Sequence, residues 1–200
     1  MGKCFCEDSM SQIASNGIRD YLYLKLKEPI SEKRPIIFLC IGTDRSTGDS
    51  LGPLVGYKLK SSHKDNIYIY GSLETPIHSK NLTSVLSKIE QHFDNPYIVA
   101  IDSSLGSIQN VGKIFIDEKP LTPGLALNKD LPPVGNLSIT GIVNISGNLE
   151  FIVLQNTRLF TVMALADCIT QGIKMSLMKL SSDLIDDNKL NDLKLSSKNK

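Results

Sequence analysis

The sequence predicts an α/β protein built on a parallel sheet, and three observations carry that expectation. Apolar runs of strand length recur at Ile36–Ile41, Ile67–Tyr70 and Tyr97–Ile101. Continuous runs of this kind suit strands buried on both faces. Between them lie two segments with helical spacing: Leu51, Leu54, Val55 and Leu59, then Leu82, Val85, Leu86, Ile89 and Phe93. Strand, helix, strand, helix, strand in this order implies parallel pairing through right-handed crossovers.

Taken in order, residues 1–33 read as a helical leader. Ile13, Ile18, Tyr21, Leu22 and Leu24 give it an imperfect apolar face, Gly17 interrupts it, and Glu28-Pro29 ends it. The body spans 34–180. Its first strand leads through a polar loop to a helix from Pro53 to Ser62, with Asp49 or Ser50 as cap and Pro53 in the first turn. The second strand is followed by the loop Gly71–His78 and a helix from Ser79 that Asn95-Pro96 stops. The third strand ends at Ile101, leaving Asp102-Ser103-Ser104 in the loop at its carboxyl end. Val111–Ile116 alternates like a strand at the sheet margin. A long loop, Glu118–Val134, carries Pro120, Pro123, Pro132 and Pro133, and such length marks functional loops. Leu137–Ile145 and Leu149–Leu154 read as the last strands, and 157–179 as a long helix covering one sheet face. Residues 181–200, rich in Ser, Asp, Asn and Lys, read as a polar tail, partly helical at most.

Composition narrows the function classes. Hydrophobic residues make up 41% and charged residues 22%, ordinary proportions for a folded domain. A formal net charge of +1 argues against nucleic-acid binding driven by bulk charge. No apolar run approaches a membrane span, and the start lacks a signal-peptide pattern, so a cytoplasmic location with no membrane partner is expected. Cys4 and Cys6 are too close for the usual zinc spacing, while Cys40 and Cys168 fall inside apolar patterns and read as small core residues.

Chemistry concentrates at strand ends. Open α/β sheets place their sites at the carboxyl ends of strands. Three loops there carry Asp44 and Asp49, then Glu74 and His78, then Asp102. Carboxylates with one His point to a paired-acid hydrolase or to a metal site. Two carboxylates held close share a proton, so one serves as acid and the other as base. Each residue also has a simpler role: Asp49 as helix cap, Asp102 as turn former, Asp44 and Arg45 as a surface ion pair, Glu74 as a solvated acid, and His78 as a hydrogen-bonded surface residue. Convergence on one crevice raises Asp49 and Asp102 above those roles. A phosphate loop is disfavoured, because Asp49 stands where a Walker-type loop has Lys. No Gly-x-Ser-x-Gly elbow occurs.

The stretch Cys40-Ile41-Gly42-Thr43-Asp44-Arg45-Ser46-Thr47-Gly48-Asp49-Ser50-Leu51-Gly52-Pro53 resembles the signature of the sporulation protein YyaC family, a family of spore proteases. Gly71–Leu82 and Ile101–Gly106 extend the resemblance, which covers 34–180. That family in turn resembles the germination protease of spore formers and the hydrogenase maturation proteases. The resemblance implies a three-layer α/β/α sandwich with a mostly parallel, phosphorylase/hydrolase-like sheet. It implies that Asp49 and Asp102 are the essential acids. No His follows His92, so the later metal-binding His of the maturation proteases has no counterpart, and His78 is the remaining candidate.

The expectation is therefore a cytoplasmic, sporulation-associated peptidase in which Asp49 and Asp102 activate water, acting on a protein or peptide. Asp44, Ser46, Thr47, Glu74 and His78 support the site or bind substrate. No cofactor is required, a divalent metal being the alternative, and an oligomer is compatible. The rival is a catalytically inactive peptide- or metal-binding sporulation protein on the same fold.

Overall fold

The structure, a computed structural model, describes residues 5–62, 66–123 and 132–198, with side chains as far as residue 183. The described residues form a six-stranded sheet in the order β1-β5-β6-β4-β2-β3. Its strands are β1 (Phe5–Asp8), β2 (Ile36–Cys40), β3 (Ile67–Tyr70), β4 (Tyr97–Gly106), β5 (Lys113–Asp117) and β6 (Leu137–Ile145). β6, β4, β2 and β3 run parallel, while β5 is antiparallel to both β6 and β1. The helices are α1 (Ala14–Ser31), α2 (Leu51–Leu59), α3 (Leu82–His92), α4 (Glu150–Gln155) and α5 (Leu159–Lys198).

β2 shows why the layers form. All five of its residues are buried. By strand alternation Ile36, Phe38 and Cys40 pack with Ile18 and Leu22 of α1, Val55 of α2 and Leu165 of α5, while Ile37 and Leu39 pack with Leu82 and Ile89 of α3. The result is the expected three-layer α/β/α sandwich with a mostly parallel sheet. On the α3 side, that helix covers the sheet around β2. Phe115, Ser138 and Thr140 of β5 and β6 instead face a cleft beneath Pro120–Thr122.

The amino-terminal segment departs from expectation. Phe5–Asp8 is a strand, paired with β5 from Phe5 opposite Ile116 to Asp8 opposite Lys113. Gly17 does not interrupt α1; it lies inside the helix, facing the Glu7 and Phe5 side chains of β1. Pro29 lies inside the last turn of α1 rather than ending it. The helix closes two residues later, where Lys33 takes a left-handed φ of 58° and the Arg34 amide donates to the Pro29 carbonyl at 3.0 Å. The buried face is Ala14, Ile18, Leu22, Leu26 and Pro29, whereas Ile13 and Leu24 are exposed.

Three further differences bear on the site. β4 continues to Gly106, so Asp102, Ser103 and Ser104 lie within a strand and not in a loop. Residues 150–155, read as a strand, form α4; a six-residue apolar run is ambiguous between the two states. α5 does not stop at 179 but continues through the expected tail to Lys198. Residues 124–131 of the Pro-rich loop lie outside the described residues, while Leu121 and Val134 bridge its two ends.

Because α1 is part of the main core, Leu22→Ala should lower unfolding free energy by about 2–5 kcal/mol. Leu24→Ala, on the same helix but 68% exposed, should change it by less than about 0.5 kcal/mol. Urea denaturation of the two variants checks this.

Candidate active site

The site begins where β2 stops and β4 does not. The last paired residues of the two strands are Cys40 and Ile101. The Ile41 amide still donates to the Ile101 carbonyl, 2.8 Å, and then the chain turns away at Gly42, whose φ is 139°. The Gly42 amide donates to the Ile77 carbonyl at 2.7 Å, tying the loop before α3 to the end of β2. Asp102 is the first β4 residue beyond the Cys40–Ile101 pair, opposite Thr140 of β6.

Two glycines bring Asp49 to the same place. A Cβ on Gly42 would overlap the Asp49 carbonyl, and a Cβ on Gly52 would overlap the Ile41 carbonyl. Only glycine permits either approach, and Gly42 also needs its positive φ. The Thr43 amide donates to the Asp49 carbonyl at 3.0 Å, so the main chain of Asp49 is held by the end of β2. Asp49 sits in a 3-10 turn, Gly48–Ser50, that runs into α2. The amides of Asp49 and Ser50 donate to the Ser46 and Thr47 carbonyls. They are therefore spent inside the turn.

Asp49 and Asp102 face each other electrostatically and line two clefts in common. One, of about 540 Å³, is bounded by Thr43, Arg45, Ser46, His78, Lys80, Pro123, Phe151 and Gln155. The other, of about 550 Å³, is bounded by Ser103, Ser104, Phe115, Leu121, Thr140 and Leu154. The aspartates stand at the junction. Burial pushes the Asp102 carboxyl well above the usual carboxylate range, and the neighbouring Asp49 charge raises it further. The Ser103 amide, donating to Asp102 Oδ1 at 2.8 Å, opposes that rise without cancelling it.

The remaining expected residues separate into two groups. Ser46 lines the first cleft, is 6% exposed, and its hydroxyl has no hydrogen-bond partner among the described residues. His78 lines it too, with Nδ1 accepting from the Lys80 amide at 3.3 Å. Neither Asp44, Thr47 nor Glu74 lines either cleft. Asp44 is exposed, and Thr47 lends its carbonyl to Ser50 Oγ at 2.7 Å. Glu74 pairs with Lys60 at 3.1 Å and accepts from Ser72 Oγ at 2.8 Å, contacts that hold its carboxyl below its usual range. The expected Asp44–Arg45 ion pair is not among the ion pairs of the described residues; Arg45 lies along the cleft instead.

Sequence reasoning missed Phe151 and Gln155, because their helix was read as a strand. It missed Arg45 and Lys80, although both stand inside the quoted motifs, because Arg45 was read as half of a surface ion pair and Lys80 was given no role. Ser103, whose hydroxyl is buried without a partner, carried no signal of its own. Among the described residues, no three His, Cys, Asp or Glu side chains are grouped to hold a metal ion. Among the described residues, the donor set at the aspartates does not fit a resident metal.

Comparison with known proteins places the chain in context. The profile of the family described as Protein of unknown function (DUF1256) matches residues 7–172. Uncharacterized protein YyaC of Bacillus subtilis (strain 168) is 48% identical over 143 residues, 72% of this chain and 70% of that protein. Among solved structures, a [NiFe] hydrogenase maturation protease HycI from Thermococcus kodakarensis KOD1 aligns with a TM-score of 0.49 at 17% identity, over 77% of this chain and 99% of that one.

The raised Asp102 carboxyl has a consequence for stability. Above the usual carboxylate range the unfolded chain releases this proton while the folded chain keeps it. The folded state then binds more protons, so stability from this group is greatest in acid and falls as pH rises toward the folded value. Asp102→Asn, which cannot ionise, should therefore gain stability over the wild type as pH is raised from about 3 to about 7. Urea titrations at the two pH values read the difference; an advantage that shrinks with rising pH would contradict the burial of an acid here.

Proposed function

The chain belongs to the DUF1256 family, and we propose that it is a peptidase in which Asp49 and Asp102 share one proton and activate water on a peptide carbonyl. The observation that carries this is the pair itself: two carboxylates at the junction of two clefts, one of them driven toward its protonated form by burial and by the other's charge.

The division of labour follows from their surroundings. Asp102 holds the proton at rest and Asp49 is ionised, the pattern by which two acids take opposite roles. Asp49 accepts a proton from water as the water oxygen bonds to the carbonyl carbon. Asp102 donates its proton to the carbonyl oxygen. On collapse the carbonyl oxygen returns that proton, Asp49 passes its own to the departing nitrogen, and the C–N bond breaks. Ser46 Oγ, buried in the first cleft and without a partner, is placed to donate to a substrate oxygen. His78, with Nδ1 already accepting from a backbone amide, presents its other nitrogen as a donor. The described part of the Pro-rich segment, Pro120–Pro123, walls both clefts.

The substrate class is a protein or peptide, and the proposed setting is the cytoplasm of a sporulating cell. No helix among the described residues is long and apolar enough to cross a membrane.

Wild-type protein incubated with an extract of sporulating cells should generate fragments detectable by mass spectrometry. Asp49→Asn and Asp102→Asn should slow their appearance by about a hundredfold or more, the usual cost of losing a general acid or base. Glu74→Gln should leave it unchanged. Fragmentation undiminished in both aspartate variants would remove the mechanism.

A further inference from the structure

Within the first cleft, charge is left over. Arg45 and Lys80 both line it, from opposite loops: one follows β2 and the other precedes α3. Neither takes part in an ion pair among the described residues. If the aspartates share a proton they contribute one negative charge, against two positive charges on the rim. Beside Arg45, the Ser46 hydroxyl is buried and unpartnered. A buried hydroxyl without a partner costs free energy unless an occupant supplies one.

We infer that Arg45, Lys80 and Ser46 form a subsite for a substrate carboxylate, next to the bond that is cut. Two cations from separate loops and one buried donor match the needs of a carboxylate, which only accepts hydrogen bonds. Phe151 and Pro123 supply apolar lining to the same cleft. The role in specificity rests on the peptidase reading, but carboxylate binding itself can be measured without turnover. The carboxylate has two sources: an acidic side chain within the segment, which makes the cut internal, or the free end of a chain, which makes it terminal. Both present the same group to the same donors.

The test uses three fluorescent decapeptide pools of randomised sequence, alike except for the group in question. One has a central Glu and an amidated end, one a central Gln and an amidated end, and one a central Gln and a free carboxyl end. Binding is followed by anisotropy on the wild type and on the Asp102→Asn full-length chain, where cleavage does not consume the probe. One carboxylate pool should bind about tenfold more tightly than the neutral pool, the scale of a charge-assisted contact. Which of the two does so identifies the source. Arg45→Ala with Lys80→Ala should abolish the preference, and Arg45→Glu with Lys80→Glu should transfer it to a fourth pool, with a central Lys and an amidated end. Both side chains are exposed, so these variants fold. Equal binding of all three pools, or a preference that survives the double alanine variant, overturns the subsite. A preference that follows Arg45 and Lys80 in a wild type that cleaves nothing would uphold the subsite and discard the peptidase.

Discussion

The site depends on a mismatch in strand length at the centre of the sheet. β2 ends at Cys40 while its parallel neighbour β4 runs on to Gly106. Were β2 to continue, its side chains would fill the space above Asp102 and the acid would be a poor core residue. Instead the chain leaves the sheet at Gly42, and α2 is drawn down until Gly52 meets the Ile41 carbonyl. Neither step tolerates a Cβ. The same two contacts that end the strand therefore fix the main chain of Asp49 beside Asp102.

Holding an acid there is costly. Burial and a like charge both disfavour ionised Asp102. Such a cost persists only in a framework rigid enough to impose it. That framework is the two-sided packing of β2 and the tight α1–α5 contact, where a Cβ on Gly172 would collide with Ile18. The amino-terminal strand and helix are part of it: β1 extends the sheet edge and α1 closes the core over β2.

The fold was legible in the sequence wherever a run of residues had one period and one environment. β2, β3 and β6 are such runs, as are the faces of α2 and α3. It was not legible where tertiary contacts overrode local signals. Gly17 and Pro29 read as breaks, yet both lie inside α1, Gly17 beside β1 and Pro29 on its buried face. Asp102-Ser103-Ser104 is turn chemistry by composition, but pairing with β6 keeps it extended. Asp49 stood out because the end of β2 could be located, and Asp102 because the apolar run of β4 breaks there although the strand continues. Glu74 was grouped with them on the same grounds, and its side chain goes elsewhere because Lys60 and Ser72 satisfy it locally.

That last contrast separates the site from its surroundings. Polar groups on this end of the sheet that have local partners, such as Glu74 with Lys60, contribute surface structure and little else. Those around the aspartates behave differently. Among the described residues, Arg45 and Lys80 are cations without an ion-pair partner, and the hydroxyls of Ser46 and Ser103 are buried without a hydrogen-bond partner. A buried hydroxyl without a partner carries a cost, whereas the two exposed cations are hydrated. Arg45, Lys80 and Ser46 border one cleft and Ser103 the other, so the two sets meet only at Asp49 and Asp102, and the aspartate pair is what the two clefts have in common.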